Sequence, residues 1–161
     1  MQYDLLKTPI GQLLIAVDVD GLHHIRFDQA DRDAVVEPHW QRGGDLLDPV
    51  LAQLRAYFDG KLQHFNLPLA ASGTPFRKSV WRALTQIAYG ETISYGELAR
   101  RIGNPAASRA VGAANGANPL PIVVPCHRVI GANDKLVGFG GGLPVKQWLL
   151  EHERKQRPLW A

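Results

Sequence analysis

The sequence predicts an α+β protein of two domains. An N-terminal antiparallel β-sheet with a covering helix is expected over residues 1–70, and a mostly helical domain with a helix-turn-helix over residues 71–161. Three observations predict this division. Short aliphatic runs separated by turn signals fill the first part. Capped segments with helical periodicity fill the second. Between them Ala70-Ala71-Ser72-Gly73 has the small, polar character of a linker.

Strands are expected at residues 2–7, 12–17 and 22–27, with Pro9-Ile10-Gly11 and Asp18-Val19-Asp20-Gly21 turning the chain between them. Such a meander buries one face and needs a helix to cover it. Val50, Leu51, Leu54, Tyr57 and Phe58 supply one over residues 48–58, and Gly60 ends it. A short strand is expected at 65–69, and polar residues 28–44 read as a long loop. After the linker, Thr74 caps a helix with Pro75 in its first position and Val80, Trp81, Leu84 and Ile87 as its buried stripe. Ser94 and Glu97 form a capping box for a helix reaching about residue 102. Gly103-Asn104-Pro105 then leads to a helix over 106–114. The last helix follows Pro144 and includes Val145, Trp148 and Leu149.

Composition narrows the function classes. One cysteine excludes an internal disulfide and a cysteine-rich zinc site. A net charge of +3 tolerates a polyanionic partner but is too small to demand one. No apolar run is long enough to span a bilayer, so no membrane partner and a cytoplasmic location are expected.

A lone cysteine is ordinarily a small buried hydrophobe. Here it stands in Pro125-Cys126-His127-Arg128, at the end of the strand-like apolar run Ile122-Val123-Val124. A thiol becomes a nucleophile when a base deprotonates it or positive charge stabilises its thiolate. Neighbours on a regular strand point to opposite faces, so Cys126 and His127 can cooperate only if the chain turns sharply there. Pro125 and Gly131 permit that, and Glu151 or Glu153 on the last helix should orient the imidazole.

The helix pair around Gly103-Asn104-Pro105 has helix-turn-helix proportions, although an ordinary helical hairpin would look the same. Its second helix carries small residues and one large projecting side chain, Arg109, which suits close approach to a DNA groove with Arg109 as a wedge. Gly138-Phe139-Gly140-Gly141-Gly142 lacks phosphate-loop spacing and reads as a pocket wall beside Cys126. Asn115-Gly116-Ala117-Asn118-Pro119 reads as a turn with an asparagine side chain bonded to backbone.

Together these segments resemble the O6-alkylguanine-DNA alkyltransferases. The resemblance rests on Gly73-Thr74-Pro75-Phe76 with Val80-Trp81, Ser94-Tyr95-Gly96, Arg109-Ala110-Val111-Gly112, Asn118-Pro119, Pro125-Cys126-His127-Arg128-Val129-Ile130-Gly131, and Gly141-Gly142-Leu143 with Lys146. It is dense over residues 73–153 and weak over 1–70.

The resemblance implies a ribonuclease H-like first domain and a winged-helix-like second. It implies irreversible, stoichiometric transfer of the alkyl group from O6-alkylguanine in DNA to Cys126, with O4-alkylthymine as a second candidate substrate. His127 would be the base, acting through a water, Glu153 the acid that holds it, and Asn118 the hinge asparagine. Tyr95 would donate to guanine N3 and crowd the flanking phosphate. Arg109 would fill the gap left by a flipped base, with Tyr95, Asn104 and Ala107 beside it on the DNA face in the minor groove. Flipping costs least for an imperfectly paired base. The Cys126 and Val129 carbonyls would read the guanine amino group. The Gly140 amide would lie near O6, with Pro121 and Phe139 beside the alkyl group.

Phe139 and Gly140 depart from the tyrosine and serine of many relatives, which removes two side-chain polar groups. Some relatives bind zinc in the first domain. His23, His24, His39 and His64 are read as surface or packing residues, so no metal and no cofactor are expected. The protein is expected to be a stand-alone monomer, destabilised once alkylated, and the sequence leaves open whether copies bind DNA cooperatively. Two other readings compete. A non-reacting lesion sensor would lack Cys126, and a cysteine hydrolase would leave Arg109 without a role.

Overall fold

The computed structural model describes residues 1–28, 35–131, 139 and 141–156, and the chain divides into two compact units, Met1–Ser72 and Gly73–Ala161. The first unit is a four-stranded sheet in the order β3-β2-β1-β4, formed by β1 (Gln2–Thr8), β2 (Gly11–Asp18), β3 (Gly21–Asp28) and β4 (Gln41–Arg42). β1, β2 and β3 are antiparallel neighbours, with Leu5 opposite Leu14 and Ile15 opposite Ile25. At the β2–β3 turn Asp18 Oδ1 accepts from the Asp20 amide at 2.8 Å. Gly21 follows with φ +134°, and a Cβ there would lie 2.4 Å from the Pro68 carbonyl oxygen. Both dihedral and space therefore require glycine.

β2 is buried on both faces, because Leu13 through Val17 are all in the core. Leu14 and Ala16 pack with Trp40 and the half-buried Met1, Tyr3 and Leu5. The other face meets α1 (Asp48–Phe58), which buries Val50, Leu54 and Tyr57 and packs on β1. Fully burying each of these side chains contributes about 1.5–3 kcal/mol.

The expected loop over 28–44 is thus partly structure. Burial of Trp40 brings the next residues beside β1, where β4 pairs in parallel with Gln2 and Tyr3. Residues 29–34 of that loop lie outside the described residues. The strand expected at 65–69 is only a single bridge, Leu22 to Leu69, because Pro68 has no amide hydrogen to extend a ladder.

The second unit contains α2 (Pro75–Leu84), β5 (Ile93–Ser94), α3 (Tyr95–Arg101), α4 (Ser108–Gly116), β6 (Val129–Ile130) and α5 (Leu143–Gln156). Thr74 caps α2 by accepting from the Arg77 amide, and Ser94 caps α3 by accepting from the Glu97 amide at 3.0 Å. The capping box is half made, since the Glu97 carboxylate turns to Arg100 and Arg101 instead. α3 ends in a Schellman motif: Gly103 has φ +78°, and the Asn104 amide reaches the Ala99 carbonyl at 3.0 Å. Pro105 delays the next helix, so α4 begins at Ser108 rather than 106.

α4 packs on α2 and α3, and Trp81 Nε1 donates to the Ala114 carbonyl at 2.8 Å. β5 and β6 pair in parallel, Ile93 with Val129. Among the described residues no helix is long and apolar enough to cross a membrane.

Candidate active site

Between α4 and β6 the chain is a succession of turns, not the strand expected at 122–124. Val124 N bonds to Leu120 O at 2.9 Å around Ile122, whose φ of +77° is rare for a β-branched residue. Left-handed strain of this kind costs about 1–3 kcal/mol and persists where the surroundings enforce it. Here the Asn118 amide enforces it: Nδ2 donates to Val124 O at 2.8 Å, and Oδ1 accepts from Leu120 N at 2.9 Å. Asn115 belongs to the last turn of α4 rather than to a connecting turn, and its Nδ2 reaches the Cys126 carbonyl at 3.4 Å.

The required sharp turn is a 3-10 turn, Cys126–Arg128. With three residues per turn, its side chains leave the backbone about 120° apart instead of on opposite faces. His127 and Arg128 both reach Glu153 on α5. His127 Nε2 lies 2.8 Å from Glu153 Oε2, and Arg128 donates through Nε to Oε1 at 2.8 Å and through Nη2 to Oε2 at 3.0 Å. Arg128 Nη1 also donates to the Ile87 carbonyl at 2.7 Å. Glu151, the other candidate, is exposed and bonds Gln147.

Burial opposes ionisation of Glu153, but His127 and Arg128 outweigh it and hold the carboxyl well below the usual range. An ionised Glu153 can only accept, so His127 Nε2 carries the ring hydrogen and Nδ1 carries the lone pair. Nδ1 is buried and has no hydrogen-bond partner among the described residues. Burial lowers the His127 pKa despite the opposing pull of Glu153, so the ring is neutral at pH 7. Burial also pushes the Cys126 thiol up to about 11, against the pull of Asn118 and Lys146. At neutral pH this thiol is protonated and needs a base.

The sequence reading gave Lys146 no task. It is fully buried, and its Nζ donates to the Val129 carbonyl at 2.7 Å. Burial lowers its pKa, and the charge of Cys126 would raise it. A lysine in step with Leu149, Leu150 and Glu153 on the buried face of α5 was the available signal, whereas Trp148 lies half-exposed and stacks on His152.

Tyr95, at the start of α3, is near enough to Cys126 for the two charges to interact, and burial raises its phenol pKa. A Cβ on Gly112 would sit 3.8 Å from the Tyr95 ring, so the two helices of the helix-turn-helix meet there. Arg109 and Asn104 are exposed, and Ala107 is half-buried at the head of α4. Pro121 and Val129 are buried near the turn, and Phe139 is half-buried. Gly138 and Gly140 lie outside the described residues. No group of three or more His, Cys, Asp or Glu able to hold a metal exists among the described residues. His23 instead contacts Asp18 at 2.8 Å, and His24 stacks on Trp40.

Residues 75–155 match the DNA binding domain model of 6-O-methylguanine DNA methyltransferase, and residues 1–71 match its ribonuclease-like domain. A methylated-DNA–protein-cysteine methyltransferase of Methanosarcina acetivorans is 49% identical over 95% of this chain and 98% of its own length. One from Mycolicibacterium paratuberculosis is 47% identical over 98% and 95%. The crystal structure of Mycobacterium tuberculosis OGT in complex with DNA superposes with a TM-score of 0.89 at 45% identity, covering 99% of this chain and 96% of that one.

Proposed function

Because the chain belongs to the 6-O-methylguanine DNA methyltransferase family, we propose that it repairs alkylated DNA by moving the alkyl group from guanine O6 to Cys126. The activity is that of a methylated-DNA–protein-cysteine methyltransferase, and DNA is its partner. The observation that carries the site assignment is the buried turn that joins the single cysteine to the His127–Glu153 pair and leaves His127 Nδ1 as the free base.

In this reading His127 Nδ1 takes the Cys126 proton through a water. Glu153 holds the imidazole in the tautomer that leaves Nδ1 basic, and Arg128 keeps Glu153 ionised. The thiolate attacks the alkyl carbon, a C–S bond forms as the C–O6 bond breaks, and the electron pair leaves on guanine. Tyr95 donates to N3 and spreads that charge, and the base recovers a proton. Asn118 holds the turn that aims the sulfur.

A thioether is not readily hydrolysed, and the chain has no second cysteine to accept the alkyl group, so each molecule acts once. The exposed face of α4, with Arg109, Asn104 and Ala107, enters the minor groove, and Arg109 fills the space of the flipped base. Pro121, Phe139 and the Val129 backbone enclose the alkylated base. No cofactor is needed. The first unit serves as a scaffold, and the protein works as a cytoplasmic monomer.

The test is to incubate the protein with a duplex containing one O6-methylguanine, then take its intact mass and map the modified peptide. A gain of about 14 Da on Cys126, at most once per protein, is expected. Tight lesion binding without a mass change would reassign the protein as a lesion sensor.

A further inference from the structure

We infer that Tyr89 is a positioning residue for alkyl transfer, whose ring holds the Arg128 guanidinium on Glu153, the carboxylate that orients His127. The inference rests on the proposed alkyl transfer and deepens its assignment of the base. Tyr89 lies in the loop between α2 and β5 and is 8% exposed. Three groups of that loop close on the ion pair. The Ile87 carbonyl accepts from Arg128 Nη1 at 2.7 Å, and the Gly90 amide donates to Glu153 Oε1 at 3.4 Å. Between them in the chain stands the Tyr89 ring, with Arg128 Cζ over it at 5.5 Å from the centroid.

The ring has a task that hydrogen bonds do not fill. The side chains of Arg128 and Glu153 are 7% and 1% exposed, so the cation has lost most of its water. Its Nε, Nη1 and Nη2 already donate to Glu153 and Ile87. What the delocalised cation still lacks is a partner for its π-system. An aromatic ring within about 6 Å offers the negative face of its quadrupole, and the contact is strongest where water is excluded. Burial and the Glu153 charge push the Tyr89 phenol up to about 12, so Tyr89 is neutral at pH 7 and acts on Arg128 through its ring.

The consequence for the base has one sign. Burial lowers the His127 pKa, Glu153 raises it, and Arg128 and Lys146 lower it. These charges come from its own turn and from α5, and the neighbouring Cys126 thiol is protonated. If the guanidinium drifts from the carboxylate, Glu153 is less neutralised and Arg128 repels less. Both changes favour imidazolium, and a protonated ring cannot take the Cys126 proton.

The experiment follows His127 across pH by nitrogen NMR of histidine-labelled protein, beside the single-turnover transfer rate, in wild type, Tyr89→Leu and Tyr89→Phe. In Tyr89→Leu the His127 midpoint and the acid limb of the rate should move up together by about half a pH unit or more, the weight of a desolvated cation–π contact. Tyr89→Phe keeps the ring and should show the wild-type midpoint. An unmoved midpoint in Tyr89→Leu would overturn the inference, since a merely structural residue would cost stability alone. So would an equal shift in Tyr89→Phe, which would move the role to the hydroxyl. If Tyr89→Leu does not fold, trifluorophenylalanine at position 89 keeps the shape of the ring and drains its face. Its midpoint should lie above that of Tyr89→Phe, and equality would overturn the inference. Absence of transfer by wild type, with the NMR midpoint still following the ring, would instead overturn the proposed function.

Discussion

The first unit closes its core on apolar and aromatic side chains, whereas the second encloses Asn115, His127, Arg128, Lys146 and Glu153. Among the described residues, every buried polar or charged side chain belongs to the second unit. Apolar burial needs only pattern and volume, and it tolerates rearrangement. Buried charge needs each partner in place, because an ion left alone in the interior is far more costly than the pair is stabilising. The difference teaches where chemistry sits in this chain. A buried network that opposes its own desolvation is kept here beside the single cysteine.

The contrast can be broken from either side. Cys126→Ser should abolish alkyl transfer while leaving the melting of both units close to wild type, as intact mass and calorimetry would show. Retained transfer would move the acceptor elsewhere. Glu153→Gln should destabilise the second unit by about 3–5 kcal/mol, because it leaves the Arg128 guanidinium without its carboxylate. It should also slow transfer in the fraction that remains folded. Leu54→Ala should cost the first unit about 2–5 kcal/mol by opening a cavity under α1. The transfer rate of the folded fraction should stay at the wild-type value. A loss of rate there would break the separation of roles.

Acid should divide the units in the same way. His127 has a folded pKa below 6.5, so the unfolded chain takes up its proton first, and stability falls as the pH drops through 6.5. Glu153 lies below 4.5 when folded, so its contribution is present above 4.5 and is lost on further acidification. Both signs agree, and the second unit should melt at lower temperature at pH 5 than at pH 7. His24 in the first unit is held down to about 4 by burial and neighbouring Arg26, so that unit also has an acid-sensitive group. Its single half-buried ring should give the smaller shift. The smallest effect on stability belongs to Arg109→Ala, which is exposed. It should leave melting unchanged and slow repair of duplexes more than reaction with a free benzylated base; equal slowing on both would remove Arg109 from base flipping.

Legibility in the sequence follows the same line. The three long strands and α1 were readable because short aliphatic runs between turn signals and helical apolar spacing report burial directly. The cysteine motif was readable because its residue types have few other uses together. Glu153 was reachable through family resemblance, although spacing alone left Glu151 equal to it.

What spacing could not report was pairing set by distant burial. β4 follows from the packing of Trp40, and Ile122 is held left-handed by Asn118, four residues earlier. Lys146 and Asn115 are polar residues on buried helix faces, where a periodicity rule expects apolar ones. Both donate to carbonyls of the turn that carries Cys126, so the polar residues that break the apolar pattern are ones that brace that turn.

The base-activated thiol is tested most directly by the single-turnover transfer rate of the wild type measured against pH. With the Cys126 thiol at about 11 and His127 titrating below 6.5, the rate should rise with pH to a plateau reached by neutral pH. A rate that instead climbs about tenfold per pH unit from neutrality towards 11 would mean that free thiolate attacks without help, and would contradict His127 as the base.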